Sequence, residues 1–215
     1  MQDKTFGINV QPSDFGDIVL PGADEYPQPN IKCGIHTDNC HGIVFAWPVP
    51  EKATMPYDSV EENLSGVREF LSEDMGIIEC KNGITAMGHK YIYHILKILH
   101  KEDNVPFGEV SYTLNFNVNQ NETHYFISAS FTEIGITGQR DCFGAEVFRR
   151  DYLKEHGNAP TQEETQLEFY QDPYEKSFRK GFLMNRSEEE VFDPVFPGHP
   201  LSMLRKYVRW VIARN

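Results

Sequence analysis

Two long runs of alternating apolar and polar residues, separated by a short polar turn, dominate the middle of the chain. The apolar members are Val110, Tyr112, Leu114, Phe116 and Val118 in the first run, then Tyr125, Ile127, Ala129 and Phe131. A period of two is typical of β-strands that bury one face and leave the other more polar. We therefore predict an antiparallel hairpin with its turn at Asn119–Glu122. Its register should be firm, because a slip of one residue would expose the whole apolar set.

The residues upstream of the hairpin predict one helix and several shorter strands. Val60, Leu64, Val67 and Leu71 have helical spacing, which predicts a helix over residues 58–71. We expect Asp58 to cap it, with the glutamate three residues later completing a capping box. Apolar runs predict strands at 17–20, 41–47, 75–80 and 88–100, with residues 31–42 as a loop or edge segment. Pro48 should end the second strand and a turn at Asn82-Gly83 the third. The run 88–100 is apolar on both faces, which also suits a short helix, but its tyrosine and isoleucine content favours a strand.

Downstream of the hairpin, the chain predicts two helices joined by a long acidic segment. Thr137 is a plausible cap for a helix over 139–155, which Gly157 should end. Residues 158–199 are polar but carry many aromatic side chains, so we expect them to wrap around the core in an ordered way. Ser187 and Glu190 form a capping-box pattern. Pro200 suits the first position of a final helix, whose basic residues Arg205, Lys206, Arg209 and Arg214 lie towards its end.

These elements together predict an α+β fold. We expect a mostly antiparallel sheet of about six strands with helices packed on it, an α/β/α sandwich with a C-terminal helix and a long wrapping tail. The 215 residues suit a single domain. Within it we distinguish an irregular N-terminal segment (1–40), a core of sheet and helices (41–157), and a C-terminal wrap and helix (158–215).

The net charge of the chain narrows the classes of partner. It is -12 at pH 7, and such an acidic surface repels nucleic-acid phosphates, so we expect no nucleic-acid binding. No apolar run approaches the ~20 residues that a membrane-spanning helix needs, and we expect no membrane association. The first ten residues lack a basic stretch followed by an apolar one, which argues against a signal peptide. We therefore expect a cytoplasmic protein whose 4 cysteines are reduced.

The order of these elements resembles a known fold family, the PsbP-like α/β/α sandwich. The resemblance depends on a helix containing DSVEENL, on the long hairpin, and on Phe131–Asp141 (FTEIGITGQRD) leading into the next helix. The family includes the extrinsic PsbP protein of photosystem II, the nuclear-import factor that binds the GTPase Ran, and many small bacterial proteins with no assigned activity. The resemblance covers roughly residues 40–155. It implies a binding module without catalytic residues, and it offers no counterpart for the tail.

One group of residues has the composition of a metal site. Cys33, His36, Cys40 and His41 place two thiols and two imidazoles within nine residues, and zinc prefers these ligand types. However, zinc sites usually take their ligands from two separated pairs, and so short a loop rarely wraps around one ion. The alternative, which we favour, is a plain segment with isolated cysteines and histidines. We therefore expect no cofactor.

A second group lies where the hairpin leads into the following helix. Glu133, Arg140 and Asp141 flank a glycine-bearing link, and an arginine with carboxylates at a helix start could bind an anion or polarise a substrate. The alternative is an ion pair that braces this corner, with Asp141 near the positive end of the helix dipole. We favour the brace.

Three functions remain open from the sequence. The first is a non-catalytic module of an uncharacterised, bacterial-type family that binds another protein or a second copy of itself. The second is a small-ligand-binding protein or hydrolase-like enzyme that uses the Arg140/Asp141 corner. The third is a zinc-stabilised structural domain. The chain contains no G-x-S-x-G, no phosphate-binding loop and no G-x-G-x-x-G, which favours a protein without catalytic activity.

Overall fold

The computed structural model describes residues 18–19, 31–101, 109–120, 122–135 and 138–215. Its strands are β1 (Ile18–Val19), β2 (Ile31–His36), β3 (Cys40–Val49), β4 (Met75–Ile84), β5 (Lys90–His100), β6 (Glu109–Gln120), β7 (Thr123–Glu133), β8 (Tyr170–Gln171) and β9 (Met184–Asn185). Its helices are α1 (Val60–Phe70), α2 (Gln139–His156), α3 (Gln162–Glu168) and α4 (Pro200–Arg214). Short 3₁₀ turns occupy Glu51–Ala53, Arg186–Glu188 and Glu190–Phe192.

Strands β1 to β7 form one antiparallel sheet in the order β1-β2-β3-β7-β6-β5-β4, and β8 pairs separately with β9. Phe116 faces Ile127 and Leu114 faces Ala129 across the β6–β7 hairpin, so the two apolar sets share one face as predicted. Six of the strands in this sheet, β2 to β7, are six residues or longer. The predicted α+β fold is therefore confirmed, as is the strand assignment of 90–100 over a helix.

The strands β2 and β3 extend the sheet beyond the residues predicted for it. β2 lies within the segment expected to be irregular, and β3 continues through Pro48 instead of ending before it. Pro48 pairs with Tyr125 of β7, whereas β2 pairs with β3 only between His41 and Ala46. Among the described residues, β3 is thus paired on one side only at Pro48, and proline within a strand is usual at such edge positions.

The turn between β4 and β5 also lies later than predicted. Asn82 and Gly83 are inside the ladder, opposite Ile92 and Tyr91. A Cβ on Gly83 would lie 2.8 Å from the Tyr91 hydroxyl oxygen, so this glycine makes room for a ring on the neighbouring strand. The residue that turns the chain is Gly88, whose φ of 89° is readily available only to glycine.

Helix α1 begins one residue later than predicted. Its N-cap is Ser59, whose hydroxyl accepts a hydrogen bond from the Glu62 N–H at 3.0 Å. Asp58 instead pairs with Lys90 on β5 at 2.9 Å, which takes the carboxylate away from the helix start.

The starts of the later elements also needed correction. Gly138 is the N-cap of α2 and has no side chain to offer, while the predicted cap Thr137 lies outside the described residues. In the wrap, the capping box joins Asn185 and Glu188. Glu188, rather than the predicted Glu190, accepts from the Asn185 N–H at 2.7 Å. The predicted end of α2 at Gly157 and the start of α4 at Pro200 are confirmed.

The two faces of the sheet are covered differently, and we name them by the helix that lies on each. On the α4 face, Leu114, Phe116 and Ile127 are completely buried in a large cluster that includes α4. On the α1 face, Leu64 and Leu71 belong to a smaller cluster formed with side chains of β4 and β5. Successive residues of a strand point to opposite faces, so the same strands contribute side chains to both clusters.

Residues 158–199, which we call the wrap, return from α2 to the sheet and are ordered as predicted. The Phe182 N–H donates to the Met75 carbonyl at 2.8 Å, and the Tyr174 hydroxyl donates to the Cys80 carbonyl at 2.8 Å. The wrap therefore binds the β4 edge through hydrogen bonds to the main chain of β4 before α4 begins. Within the described ranges, no helix is long and apolar enough to cross a membrane.

Candidate functional site: the α2 corner and its aromatic patch

The predicted corner between β7 and α2 exists, and Glu133 closes it. The Glu133 carboxylate accepts from the Gly138 N–H at 3.0 Å, at the helix start where backbone donors otherwise lack partners. Burial raises the pKa of Glu133, while the Gly138 N–H opposes that rise. Glu133 therefore ties the end of the strand to the start of α2.

Arg140 lies inside the protein, in the first turn of α2, with 1 % of its surface exposed. Its guanidinium donates to the Ser187 carbonyl at 2.6 Å, the Glu189 carbonyl at 3.1 Å, the Ser202 hydroxyl at 2.7 Å and the Asp193 carboxylate at 3.0 Å. These acceptors come from the wrap and α4, and neither Glu133 nor Asp141 is among them. The guanidinium is thus enclosed and fully engaged within the protein.

Asp141 points to the wrap rather than to Arg140. It accepts hydrogen bonds from the Ser187 hydroxyl and, at 3.3 Å, from the Asn185 side-chain amide. A Cβ on Gly144, one turn further along α2, would lie 2.4 Å from the Ser187 Cβ. Because α2 carries a glycine there, the helix and the wrap approach each other closely enough to form these bonds.

The Asp193 carboxylate links Arg140 to a wider buried network on the α4 face. Arg205 of α4 donates to Asp193 at 3.1 Å and to Glu79 of β4 at 3.0 Å. Lys97 of β5 lies 2.9 Å from the Glu188 carboxylate. The three basic side chains balance three acidic ones, as buried charges require if their desolvation is to be offset. Arg205 was predicted to lie at the dipole end of α4, but it turns inward and is 3 % exposed.

The network fixes the protonation states of its neighbours. Burial would by itself raise the pKa of Glu79, but Arg205 and the Tyr93 hydroxyl outweigh it, and that pKa lies below its usual value. Burial, reinforced by Arg140 and Arg205, lowers the pKa of His199 to about 3. His199 is therefore neutral at neutral pH, and its Nδ1 accepts from the Leu201 N–H at the start of α4.

The outer surface of this corner carries a group of aromatic side chains that we call the aromatic patch. It comprises Phe143 of α2 and Phe192 and Phe196 of the wrap, flanked in sequence by Val191 and Val195. The Phe143 ring lies 6.1 Å from the Phe192 ring and 5.6 Å from the Phe196 ring, edge to face in both pairs. Phe143 is 45 % exposed, Val195 54 % and Val191 69 %. The buried arginine thus supports an exposed apolar surface.

Sequence reasoning found Arg140 but missed its partner Asp193 and the nearby charges Arg205, Glu79 and Lys97. Two of these carried a signal, since Lys97 interrupts the apolar run YIYHILKILH and Glu79 interrupts MGIIEC. A single charge inside a strand that is apolar on both faces indicates a buried ion pair. Which partner it takes depends on segments far away in the sequence.

Of the four candidate zinc ligands, the structure describes the side chains of two, Cys40 and His41. Cys40 is completely buried, whereas its neighbour His41 is exposed, as expected of consecutive residues on opposite faces of a strand. Burial, with a smaller contribution from Glu133, raises the pKa of the Cys40 thiol to about 12, which disfavours the thiolate that zinc binds. Cys33 and His36 lie on β2 and their side chains are outside the description. Within the described part of the chain, no group of three metal-binding side chains converges. The zinc site stays a prediction.

A serine–histidine contact occurs elsewhere, but it is closed to substrate. The His100 Nε2 lies 2.7 Å from the Ser111 hydroxyl, the type of contact that activates a nucleophile. Ser111 is only 2 % exposed, so a substrate has little access to its hydroxyl.

Comparisons with known proteins do not place the chain in a family. No family model matches it, and no curated protein matches it. Ten chains of solved structures match. One is described as a protein of unknown function, PA94 from Pseudomonas aeruginosa, a putative regulator. It is 11 % identical with a TM-score of 0.34, and the match covers 68 % of this chain and 100 % of that one. A similarity this low carries no functional argument, and the PsbP-like resemblance stays a prediction.

Proposed function

We propose that this protein is a non-catalytic binding module whose partner is another protein, docked on the aromatic patch. The observation that carries the proposal is the contact of Phe143 with Phe192 and Phe196 on the outer surface of a buried ion-pair network. Contiguous exposed apolar surface is uncommon on monomeric proteins and marks interaction sites. Aromatic anchors on a rigid base lose little entropy when they are buried by a partner.

The charge of the chain indicates the chemistry of the partner. With a net charge of -12, the protein attracts basic partners and repels acidic ones during encounter. We therefore propose a partner that offers apolar side chains to the patch and carries basic residues around them. The cytoplasm is the proposed compartment, because Cys40, Cys80 and Cys142 are free thiols.

The alternative in which the Arg140/Asp141 corner binds a small ligand or catalyses a reaction is less well supported. The Arg140 guanidinium already donates to four acceptors and is buried, so a substrate would first have to displace the wrap. The hydrogen bonds of this corner are better suited to fixing α2 and the wrap relative to each other, and thereby the side chains of the aromatic patch.

The test uses the full chain as an affinity bait, alongside the double variant Phe143→Ser/Phe196→Ser. A matched control is Ile84→Ser, which removes a side chain that is 66 % exposed at the end of β4. We expect one basic protein to bind the wild type and the control but not the double variant. The purified pair should then bind directly, and hydrogen exchange should be slowed at residues 191–196.

Two outcomes would overturn the proposal. The first is a partner that the double variant binds as well as the wild type does. The second is self-association of the wild type that the double variant abolishes, because the patch would then be a contact between copies. Circular dichroism of the variants shows whether the fold is retained.

A further inference from the structure

A cleft lies between α1 and the sheet, on the opposite face from the buried ion-pair network. Its volume is about 610 Å³, within the range of small-molecule sites. The α1 residues Asn63, Gly66, Val67 and Phe70 line it, and their spacing places them on one face of the helix. Leu96 of β5 lies across from them. The cleft is therefore built by one helix face and the strand beneath it.

Two features of α1 suggest that this space is left open for an occupant. A Cβ on Gly66 would meet no atom within 4 Å, so close packing does not explain a glycine inside the helix. Glycine there costs about 1 kcal/mol relative to alanine. Phe70, which also lines the cleft, is 82 % exposed, the largest value among the exposed large apolar side chains described. An apolar ligand would cover this ring.

The floor of the cleft is polar but neutral. His94 Nδ1 lies 3.0 Å from the Asn63 side-chain oxygen, and its Nε2 lies 2.9 Å from the Asn115 side-chain nitrogen. These contacts assign the ring proton to Nδ1, which donates to Asn63, while Nε2 accepts from Asn115. Both ring nitrogens are therefore in use, and burial lowers the pKa of His94 to about 4. His94 positions the two amides and carries no charge.

The charged residues of the cleft are all acidic. Glu62 and Glu69 of α1 line it, and no lysine or arginine is among the described residues that line it. Asn115 also lines the cleft, and the oxygen of an amide side chain can accept a hydrogen bond from a proton donor. A ligand that matches this surface has an apolar body and a positively charged head with N–H groups.

We propose that the cleft binds a small organic cation, an apolar chain or ring bearing a protonated amine. The apolar body covers Phe70 and Val67, and the ammonium group lies near Glu62 or Glu69. This site is separate from the aromatic patch and does not depend on it.

The experiment compares three probes of equal chain length: octylammonium, octanol and octanoate, each below its aggregation concentration. Isothermal titration with the full chain should give the tightest binding for octylammonium and the weakest for octanoate, with a ratio of about tenfold or more. Binding of octanoate as tight as that of octylammonium would overturn the proposal, and so would the absence of measurable binding for all three at millimolar concentration.

Variants locate the site and separate its two components. Gly66→Leu should block all three probes without unfolding the protein, because leucine favours the helix and the space around Gly66 is open. Glu62→Gln/Glu69→Gln should reduce octylammonium affinity about fivefold and leave octanol binding unchanged. The control Glu61→Gln, on α1 but outside the cleft lining, should behave as the wild type. Unchanged octylammonium binding by Gly66→Leu would place the site elsewhere and refute the proposal.

Discussion

The two faces of the sheet have the same strand alternation but are completed in opposite ways. On the α4 face, the wrap and α4 cover the strands and enclose ionised side chains such as Lys97, Arg140 and Arg205 in a balanced network. On the α1 face, α1 and Phe178 of the wrap cover part of the sheet and leave the cleft beside Gly66 and Phe70. The alternation of a strand therefore determines that it has two faces, while segments distant in sequence determine whether each face is closed.

Buried ion pairs and buried apolar side chains contribute differently to the stability of the fold and to the position of the segments that cover the sheet. The buried ion pairs contribute little net stability, because desolvation offsets their attraction. They do require each partner to be present, since an unpaired buried charge is costly. We infer that the network fixes the position of the wrap, whereas apolar packing provides most of the stability.

The largest effect is expected from removing the wrap and α4 by ending the chain at Pro160. Leu201, Leu204, Tyr207, Val208 and Val211 are at most 2 % exposed in the core. Burying side chains of this kind contributes about 1.5–3 kcal/mol each, so their loss approaches the whole stability of a domain. The fragment should be insoluble or lack a cooperative thermal transition by circular dichroism. A soluble, cooperatively folded fragment would show that the α4 face does not need its cover.

Arg140→Met should break the network at its centre. It leaves the Asp193 carboxylate with one arginine fewer and the carbonyls of Ser187 and Glu189 without their donor. Removing one partner of a buried ion pair costs about 3–5 kcal/mol, to be measured by urea unfolding. The control Arg149→Met, on the exposed side of the same helix, should change stability by about 0.5 kcal/mol or less. Equal effects of the two substitutions would contradict the structural role of Arg140.

A buried histidine is held neutral on each face, His94 on the α1 face and His199 on the α4 face, and both should make the fold sensitive to acid. Burial, together with Arg140 and Arg205 in the case of His199, lowers their pKa values to about 4 and about 3. An unfolded histidine titrates near 6.5, so below that pH the unfolded state binds protons first and folding stability falls. The loss at pH 5 relative to pH 8 should be about 2 kcal/mol for each histidine.

Urea unfolding at several pH values checks this prediction with His94→Gln and His199→Asn, the second of which retains a capping side chain. Each variant should lose less stability than the wild type between pH 7 and pH 5. An unchanged dependence on pH would show that the histidine is not held neutral in the folded state.

Gly144→Ala tests the close contact between α2 and the wrap. The added methyl group would lie 2.4 Å from the Ser187 Cβ, and the overpacking should cost about 1–3 kcal/mol despite the better helix propensity of alanine. The same substitution of an exposed glycine would be stabilising, so a gain in the midpoint of urea unfolding would mean that the contact is loose.

Gly66→Ala is the matched substitution on α1. It should change stability least of all, and it should stabilise the protein where Gly144→Ala destabilises it. No atom lies within 4 Å of the new methyl group, so helix propensity alone should stabilise the protein by about 0.5–1 kcal/mol. Destabilisation in thermal unfolding would show that the cleft is narrower than described.

The sequence by itself determined the hairpin, the α+β class, and the ends of the elements that depend on local chemistry. The β6–β7 register follows from alternation, and α2 and α4 end or begin where Gly157 and Pro200 require. The predicted cap of α1 was wrong, because two neighbouring residues, Asp58 and Ser59, can both cap a helix. Asp58 is a good cap, but its contact with Lys90 leaves Ser59 to cap α1.

Only the tertiary structure decided the functional geometry. Arg140 was identified as a candidate, but its acceptors lie 47 to 62 positions away in the sequence, beyond the range of any local pattern. The aromatic patch likewise joins Phe143 to Phe192 and Phe196, and the cleft joins α1 to β5. Local pattern determines which side chains an element buries or exposes, because each element has a fixed period. Which buried side chains contact each other depends on how segments distant in sequence pack. No periodic pattern in the sequence records that packing.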